Sequence, residues 1–279
     1  MKVASIQMVS GPNVQDNLTQ ARTLLIEAAQ AGAELAVLPE YFCLLGLHDK
    51  AKLAIQERDG QGPIQQFLSG IARELNLWVV GGTAPLSALN EGQDDAAATD
   101  RVFNSTLVYN PQGGRVARYD KIHLFRFDNG QEAYDESRVL APGHEPVLFD
   151  LPSRDGHRWR IGLSICYDLR FPELYRAYAR AGADLMLVPS AFTYTTGKAH
   201  WEVLLRARAI ENLAFVAAAA QGGVHQNGRR TWGQSLLIDP WGAVLAERAE
   251  GAGWVLADLS YERLTTCRAS LPALTHRVL

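Results

Sequence analysis

The chain has 279 residues, 47% of them hydrophobic and 20% charged, which excludes a disordered, collagen-like or mini-protein chain and leaves ample material for a core. With 27 Lys and Arg against 30 Asp and Glu the formal charge is −3. No positive field exists to draw in phosphate backbones or anionic lipid, so nucleic acid and membrane surfaces are not expected partners.

Residues 1–8 (MKVASIQM) read as a strand, not as a targeting signal. The order that follows is a helix at 14–31, a strand at 35–38, a helix at 62–76, a strand at 77–82 and a hairpin over 102–120. The polar stretch 86–101 reads as a surface loop within this half. The second half opens with a strand at 158–165 and continues with a helix at 172–181, a strand at 185–188, a helix at 199–212, a strand at 213–220 and a hairpin over 232–258. The longest apolar run, 213–220, is far short of the ~20 residues of a membrane-spanning helix.

The halves resemble one another. Residues 29–42 (AQAGAELAVLPEYF) and 179–192 (ARAGADLMLVPSAF) agree at seven of 14 positions at an offset of 150. Each reads as a helix stopped near Gly32 or Gly182 and then a strand closed by Pro39 or Pro189. Residues 105–113 and 235–242 echo each other as strands ending in Pro/Gly turns. The expectation is an α/β fold with two largely parallel mixed sheets covered by helices, related by a pseudo-twofold and forming one domain over 1–279.

In such sheets, chemistry gathers beyond the carboxyl ends of strands. Glu40 follows one strand, where the second copy has Ser190; Lys121 follows another; Cys166 ends a third. Taken singly, Glu40 could be a cap or ion-pair partner, Lys121 a solvated hairpin residue and Cys166 a buried small apolar group. Cys43 and Cys267 keep that last reading. Cys166 stands out because it stops an apolar strand ahead of Pro172, which suits the first turn of a helix. Backbone N–H groups there, or a nearby cation, would favour the thiolate. Together the three side chains supply a base, a nucleophile and a cation for a developing oxyanion.

Competing chemistries have less support. A Cys–His hydrolase needs a histidine base, and none of the seven histidines carries a signature, although His123 lies two residues beyond Lys121. No GxGxxG, P-loop or HExxH occurs, and Gly81-Gly82 and Gly222-Gly223 read as turns. The three cysteines show no CxxC pair, so neither a disulfide framework nor a zinc site is expected, and a reducing, cytoplasmic setting fits.

Residues 38–42 (LPEYF), 119–125 (YDKIHLF) and 164–174 (SICYDLRFPEL) resemble the three signature segments of the nitrilase superfamily of carbon-nitrogen hydrolases. Residues 189–192, 196–211 and 239–242 resemble its Nit branch. The resemblance implies an αββα sandwich that pairs into a homodimer or higher homo-oligomer. By matched position it implies Glu40 as general base, Cys166 as nucleophile and Lys121 as oxyanion stabiliser, with Glu136 positioning Lys121 and the substrate. It further implies the Tyr167 backbone N–H as a second oxyanion donor, and substrate contacts from Arg170, Phe192 and Thr196, with Arg170 and Thr196 holding a carboxylate. Arg170 could instead pair with Asp168 or Glu173.

The implied reaction is hydrolysis of a terminal amide of a small keto-acid through a cysteine thioester, with release of ammonia and no metal or organic cofactor. In this branch the substrate would be deaminated glutathione, or alternatively the α-ketoglutaramate of an omega-amidase. A catalytically silent binding protein on the same fold is the reading from another class. Lys198 and residues 126–134 depart from the branch pattern and are expected to reshape the pocket.

Overall fold

The computed structural model describes residues 1–88 and 100–278, so residues 89–99 of the expected polar loop lie outside the described residues. The first half contains β1 (Lys2–Gln7), α1 (Val14–Gln30), β2 (Leu35–Val37), α2 (Ala51–Ala54), α3 (Pro63–Leu75), β3 (Trp78–Val80), β4 (Ala84–Ser87), β5 (Val102–Tyr109), β6 (Arg115–Asp120), β7 (Arg126–Asp128), β8 (Ala133–Asp135) and β9 (Leu140–Ala141). The second contains β10 (Leu148–Pro152), β11 (Arg158–Leu163), α4 (Pro172–Arg180), β12 (Leu185–Leu187), α5 (Tyr194–Asn212), β13 (Phe215–Ala218), β14 (Gly222–Val224), β15 (Arg230–Trp232), β16 (Ser235–Ile238), β17 (Val244–Arg248), β18 (Gly253–Asp258) and α6 (Tyr261–Ser270).

Local chemistry sets many of these boundaries. Asn13 caps α1 by accepting from the Asp16 N–H, and Leu18, Ala21, Leu25 and Ala28 repeat at helical spacing on its buried face. The chain leaves α1 and α4 through Gly32 (φ +93°) and Gly182 (φ +81°), the left-handed stops expected from the repeat. Pro63 and Pro172 each open a helix at a position where no N–H partner is needed.

Within each half the sheet order recurs. β1, β2 and β3 are parallel neighbours, β5 runs antiparallel to β3, and β6 antiparallel to β5. Likewise β11, β12 and β13 are parallel, followed by antiparallel β16 and β17. Val3, Val37 and Val80 of the first sheet join Ile161, Leu187 and Leu237 of the second in one buried cluster. A second cluster lies under α1 and α3, where Ile6, Leu25 and Leu68 meet. The result is an α/β sandwich with α1 and α3 outside one sheet and α4 and α5 outside the other.

Three expectations change. The hairpin read at 232–258 is only β16–β17: β18 leaves it and pairs antiparallel with β1, from Lys2 opposite Asp258 to Gln7 opposite Gly253. The bare edge of β1 explains this, because its unpaired N–H and C=O groups need a partner. β10 does the same for β11 from within its own half. Second, α5 starts at Tyr194, before the expected 199, because Thr193 caps it and a Cβ at Gly197 would lie 2.2 Å from Trp232 Cβ. Third, residues 84–87 form β4 against β5, so the stretch expected to be loop begins as strand. No helix among the described residues is long and apolar enough to cross a membrane.

Candidate active site

Glu40, Lys121 and Cys166 leave different strands and converge. The chain passes from β2 through Pro39 to Glu40, with Tyr41 at φ +57°. Gly82 (φ +50°) lets this turn pack closely, since a Cβ there would sit 2.1 Å from the Pro39 carbonyl oxygen. Lys121 follows β6 directly. Cys166 begins a short 3-10 turn (Cys166–Arg170) beyond β11, at φ +48°, and its N–H donates to Pro189 O at 3.0 Å. A left-handed cysteine costs ~1–3 kcal/mol unless its surroundings hold it there.

Lys121 is fully buried and bridges two carboxylates. Its Nζ donates to Glu40 Oε1 at 2.9 Å and to the two Glu136 oxygens at 3.0 and 2.8 Å. Asn104 Nδ2 also donates to Glu40 Oε1, at 2.9 Å, and the Ala191 N–H donates to Glu40 Oε2, at 2.9 Å. Glu40 belongs to the first half and Ala191 to the second, so the Glu40 carboxylate is fixed across the repeat. Glu136 also accepts from Tyr41 OH at 2.8 Å and the Phe125 N–H at 2.7 Å.

A second set of bonds aligns Lys121 with Cys166. Tyr119 and His123 stand two residues before and after Lys121, and both reach Asp168, two residues after Cys166. Tyr119 OH donates to Asp168 Oδ2 at 2.7 Å, and Asp168 Oδ1 lies 3.0 Å from the His123 N–H and 2.7 Å from His123 Nδ1. The Ile165 N–H donates to the same carboxylate at 2.9 Å. Fully buried Asp168 thus ties the β6 exit to the Cys166 turn.

Burial and the Glu40 carboxylate push the Cys166 thiol pKa well above the usual range, against the opposing effect of Lys121. The backbone N–H of Ala191, from the second half, also lowers it, though by less than burial raises it. Burial opposes the charge on Lys121, but Glu136 and Glu40 outweigh it and raise its pKa. Burial likewise opposes ionised Glu136, and the Lys121 ammonium holds that carboxyl low.

Cys166 and Glu40 line a narrow cavity. Tyr167, Arg170, Phe192 and Thr196, the four expected substrate contacts, all line it. Arg170 makes no ion pair with Asp168 or Glu173 among the described residues. Its guanidinium lies 5.7 Å from the Tyr167 ring centre and 5.3 Å from that of Phe192, and Nη1 is 3.2 Å from His200 Nδ1. Among the described residues no histidine lines the cavity, and His123 is engaged by Asp168 and stacked on Phe171. No cluster of metal-ligating side chains occurs among the described residues.

The carbon-nitrogen hydrolase family profile matches residues 2–269. The chain belongs to the carbon-nitrogen hydrolase family. This hydrolase is 39% identical to a deaminated glutathione amidase of a Synechocystis species over 99% of its own length and 97% of the relative's, and 41% identical to the Homo sapiens deaminated glutathione amidase over 99% and 81%. Its fold matches yeast Nit3, a member of branch 10 of the nitrilase superfamily, at a TM-score of 0.86 and 30% identity, covering 100% of this chain and 97% of that one. It matches the C. elegans NitFhit protein at 0.84 and 35%, where it spans 99% of itself but 65% of NitFhit. A glutamate-to-glutamine mutant of the Nesterenkonia sp. AN1 amidase, showing Michael addition of acrylamide at its active site cysteine, is similar at 0.75 and 27%, covering 98% of each chain.

Some residues of this hydrolase's site escaped the sequence reading. Asn104 opens a run of three polar residues, Asn104-Ser105-Thr106, within β5, and nothing in that run singles it out. Tyr41 lies in the signature segment 38–42 but was given no role, and Arg229 lines the cavity without any comparable signal. Of the departures from the branch pattern, Lys198 is exposed and does not line the cavity, and Tyr134 of β8 lines only the space beside it. Cys43 and Cys267 are buried free thiols, and burial pushes Cys43 up to about 12.

Proposed function

We propose that this chain is a cysteine amidase for a keto-acid amide, with deaminated glutathione as substrate. One arrangement carries the reading: Glu40, Lys121, Glu136 and Cys166 meet beneath a cavity whose wall holds Arg170, which has no carboxylate partner among the described residues. Glu40 takes the thiol proton as sulfur attacks the amide carbonyl, so the raised thiol pKa is compatible with attack only in concert with this base. Lys121 and the Tyr167 N–H meet the negative charge that forms on the carbonyl oxygen. Glu40 returns the proton to the departing amine, then takes one from the water that cleaves the thioester, and Cys166 regains a neutral thiol.

Glutathione carries only secondary amides, so with its deaminated form the amine of a dipeptide leaves. Ammonia, anticipated from the family resemblance, leaves only from a primary amide such as α-ketoglutaramate. Arg170 suits bidentate recognition of the keto-acid carboxylate, with the Thr196 hydroxyl beside it and Phe192 against the chain. The names of the relatives from Synechocystis and Homo sapiens support this substrate over the omega-amidase alternative. A homodimer in the cytoplasm accompanies the reading: Val203 and Ile210 on α5 and nearby Trp241 are exposed apolar groups suited to a subunit contact, and a reducing setting keeps Cys166 free. Sedimentation measures the dimer.

Turnover of deaminated glutathione, followed as 2-oxoglutarate and dipeptide, is the test, alongside ammonia from α-ketoglutaramate, simple aliphatic amides and a nitrile. The expected result is the highest kcat/KM for deaminated glutathione and no turnover by Cys166→Ala or Glu40→Gln, both folded. A higher value for α-ketoglutaramate would favour the omega-amidase, and wild-type rates in either variant would end the mechanism.

A further inference from the structure

The cavity at Cys166 shares two of its walls with wider space. Tyr41 and Arg229 line it, and the same two residues line an adjoining hollow with Lys52, Asp49 and Tyr134. A further space, also lined by both, has Glu136 and Lys52 in its wall. Tyr41 and Arg229 are thus shared between the cavity at Cys166 and the space beside it.

Arg229 is poorly satisfied where it stands. Its Nη2 reaches Ala191 O at 3.4 Å and its guanidinium lies 4.9 Å from the Tyr134 ring centre. Its Nε is enclosed with no hydrogen-bond partner, and no carboxylate among the described residues lies within ion-pair distance. The Lys52 ammonium faces the Tyr41 ring at 4.7 Å and likewise has no ion pair among the described residues. Of the acids nearby, Asp49 pairs with neither cation, Asp135 is held by Ser137 and Arg138, and Glu136 is held by Lys121. Two cations on an aromatic floor, one with an orphaned donor, make a receptor for an anion.

We propose that Arg229, with Lys52 beside it, binds a carboxylate on the leaving-group side of the scissile amide. The enzyme is then selective for amides with an anionic group on each side of that bond, Arg170 taking the acyl-side carboxylate. A carboxylate two residues beyond the carbonyl lies ~7 Å away in an extended chain, which is the reach of a dipeptide leaving group. Burial pushes the Lys52 pKa down, and a bound anion would offset that cost. This subsite rests on the hydrolytic reading given above.

Deaminated glutathione and its C-terminal carboxamide differ only in that charge. Wild-type enzyme is expected to favour the free acid at least tenfold in kcat/KM, and Arg229→Met to bring the ratio near one, mainly through KM. Lys52→Met, on a separate element, lowers the ratio partway, and Arg229→Lys restores part of it. A ratio that Arg229→Met leaves unchanged, or no preference in the wild type, overturns the subsite. Calorimetric titration of both ligands into Cys166→Ala, with and without Arg229→Met, separates this outcome from failure of the reaction itself. Tighter binding of the free acid that is lost with Arg229→Met upholds the subsite even if no turnover occurs, and equal binding of both ligands overturns it whatever the turnover.

Discussion

Each reactive side chain is set by its immediate neighbours. The Cys166 thiol pKa is raised by burial and then by Glu40, so Glu40→Gln removes one cause and should lower it while taking away the proposed base. Alkylation of Cys166 followed against pH should therefore shift to lower pH in Glu40→Gln although turnover is lost; an unchanged or higher profile would contradict the assigned electrostatics. Lys121→Ala should cost roughly 10²-fold or more in kcat, the scale of one oxyanion donor. Arg170→Ala should raise KM for a keto-acid amide more than for a neutral aliphatic amide, and steady-state kinetics on the pair measures the difference. Glu136 adds a stability term with a definite sign. Its folded pKa is depressed, so its contribution is present above the ordinary glutamate value of ~4.3 and is lost as pH falls through the folded value. Glu136→Gln should flatten that part of the acid unfolding curve.

At the scale of elements, the site depends on how strand exits are tied together. Asp168 joins the residues flanking Lys121 to the Cys166 turn through four contacts. Asp168→Ala leaves several buried donors without an acceptor and should cost roughly 3 kcal/mol or more, read as a lower midpoint in denaturant, with a fall in kcat as Cys166 and Lys121 lose registry. Gly82 acts on the other side of the site: Gly82→Ala forces a Cβ against Pro39 and should displace Glu40, so activity should fall along with thermal stability. The helix stops at Gly32 and Gly182, the opening of α4 at Pro172 and most parallel strands were legible because they depend on local φ preferences and short-range periodicity. The true start of α5 was not, because Thr193 and the packing of Gly197 on Trp232 override a weak local pattern.

The whole molecule is bound together by exchange between its halves. β18 completes the first sheet from the far end of the chain, Ala191 holds Glu40, and one buried cluster draws on both sheets. A fragment of residues 1–145 lacks β18 and the partner of its inner face. It should show no cooperative unfolding transition in calorimetry, whereas the full chain should show one.

The sequence alone carried the family signatures, the duplicated helix–strand units and the placement of Glu40, Lys121 and Cys166 at strand ends, since these reside in local pattern and residue type. Tertiary structure decided the pairing of β18 with β1, the engagement of His123 by Asp168, the upward push on the Cys166 thiol pKa, the bond from Asn104 to Glu40 and the presence of Arg229 at the cavity. Each of these depends on contacts between residues far apart in the chain, where distance, burial and neighbouring charge set the energy and no local pattern records it.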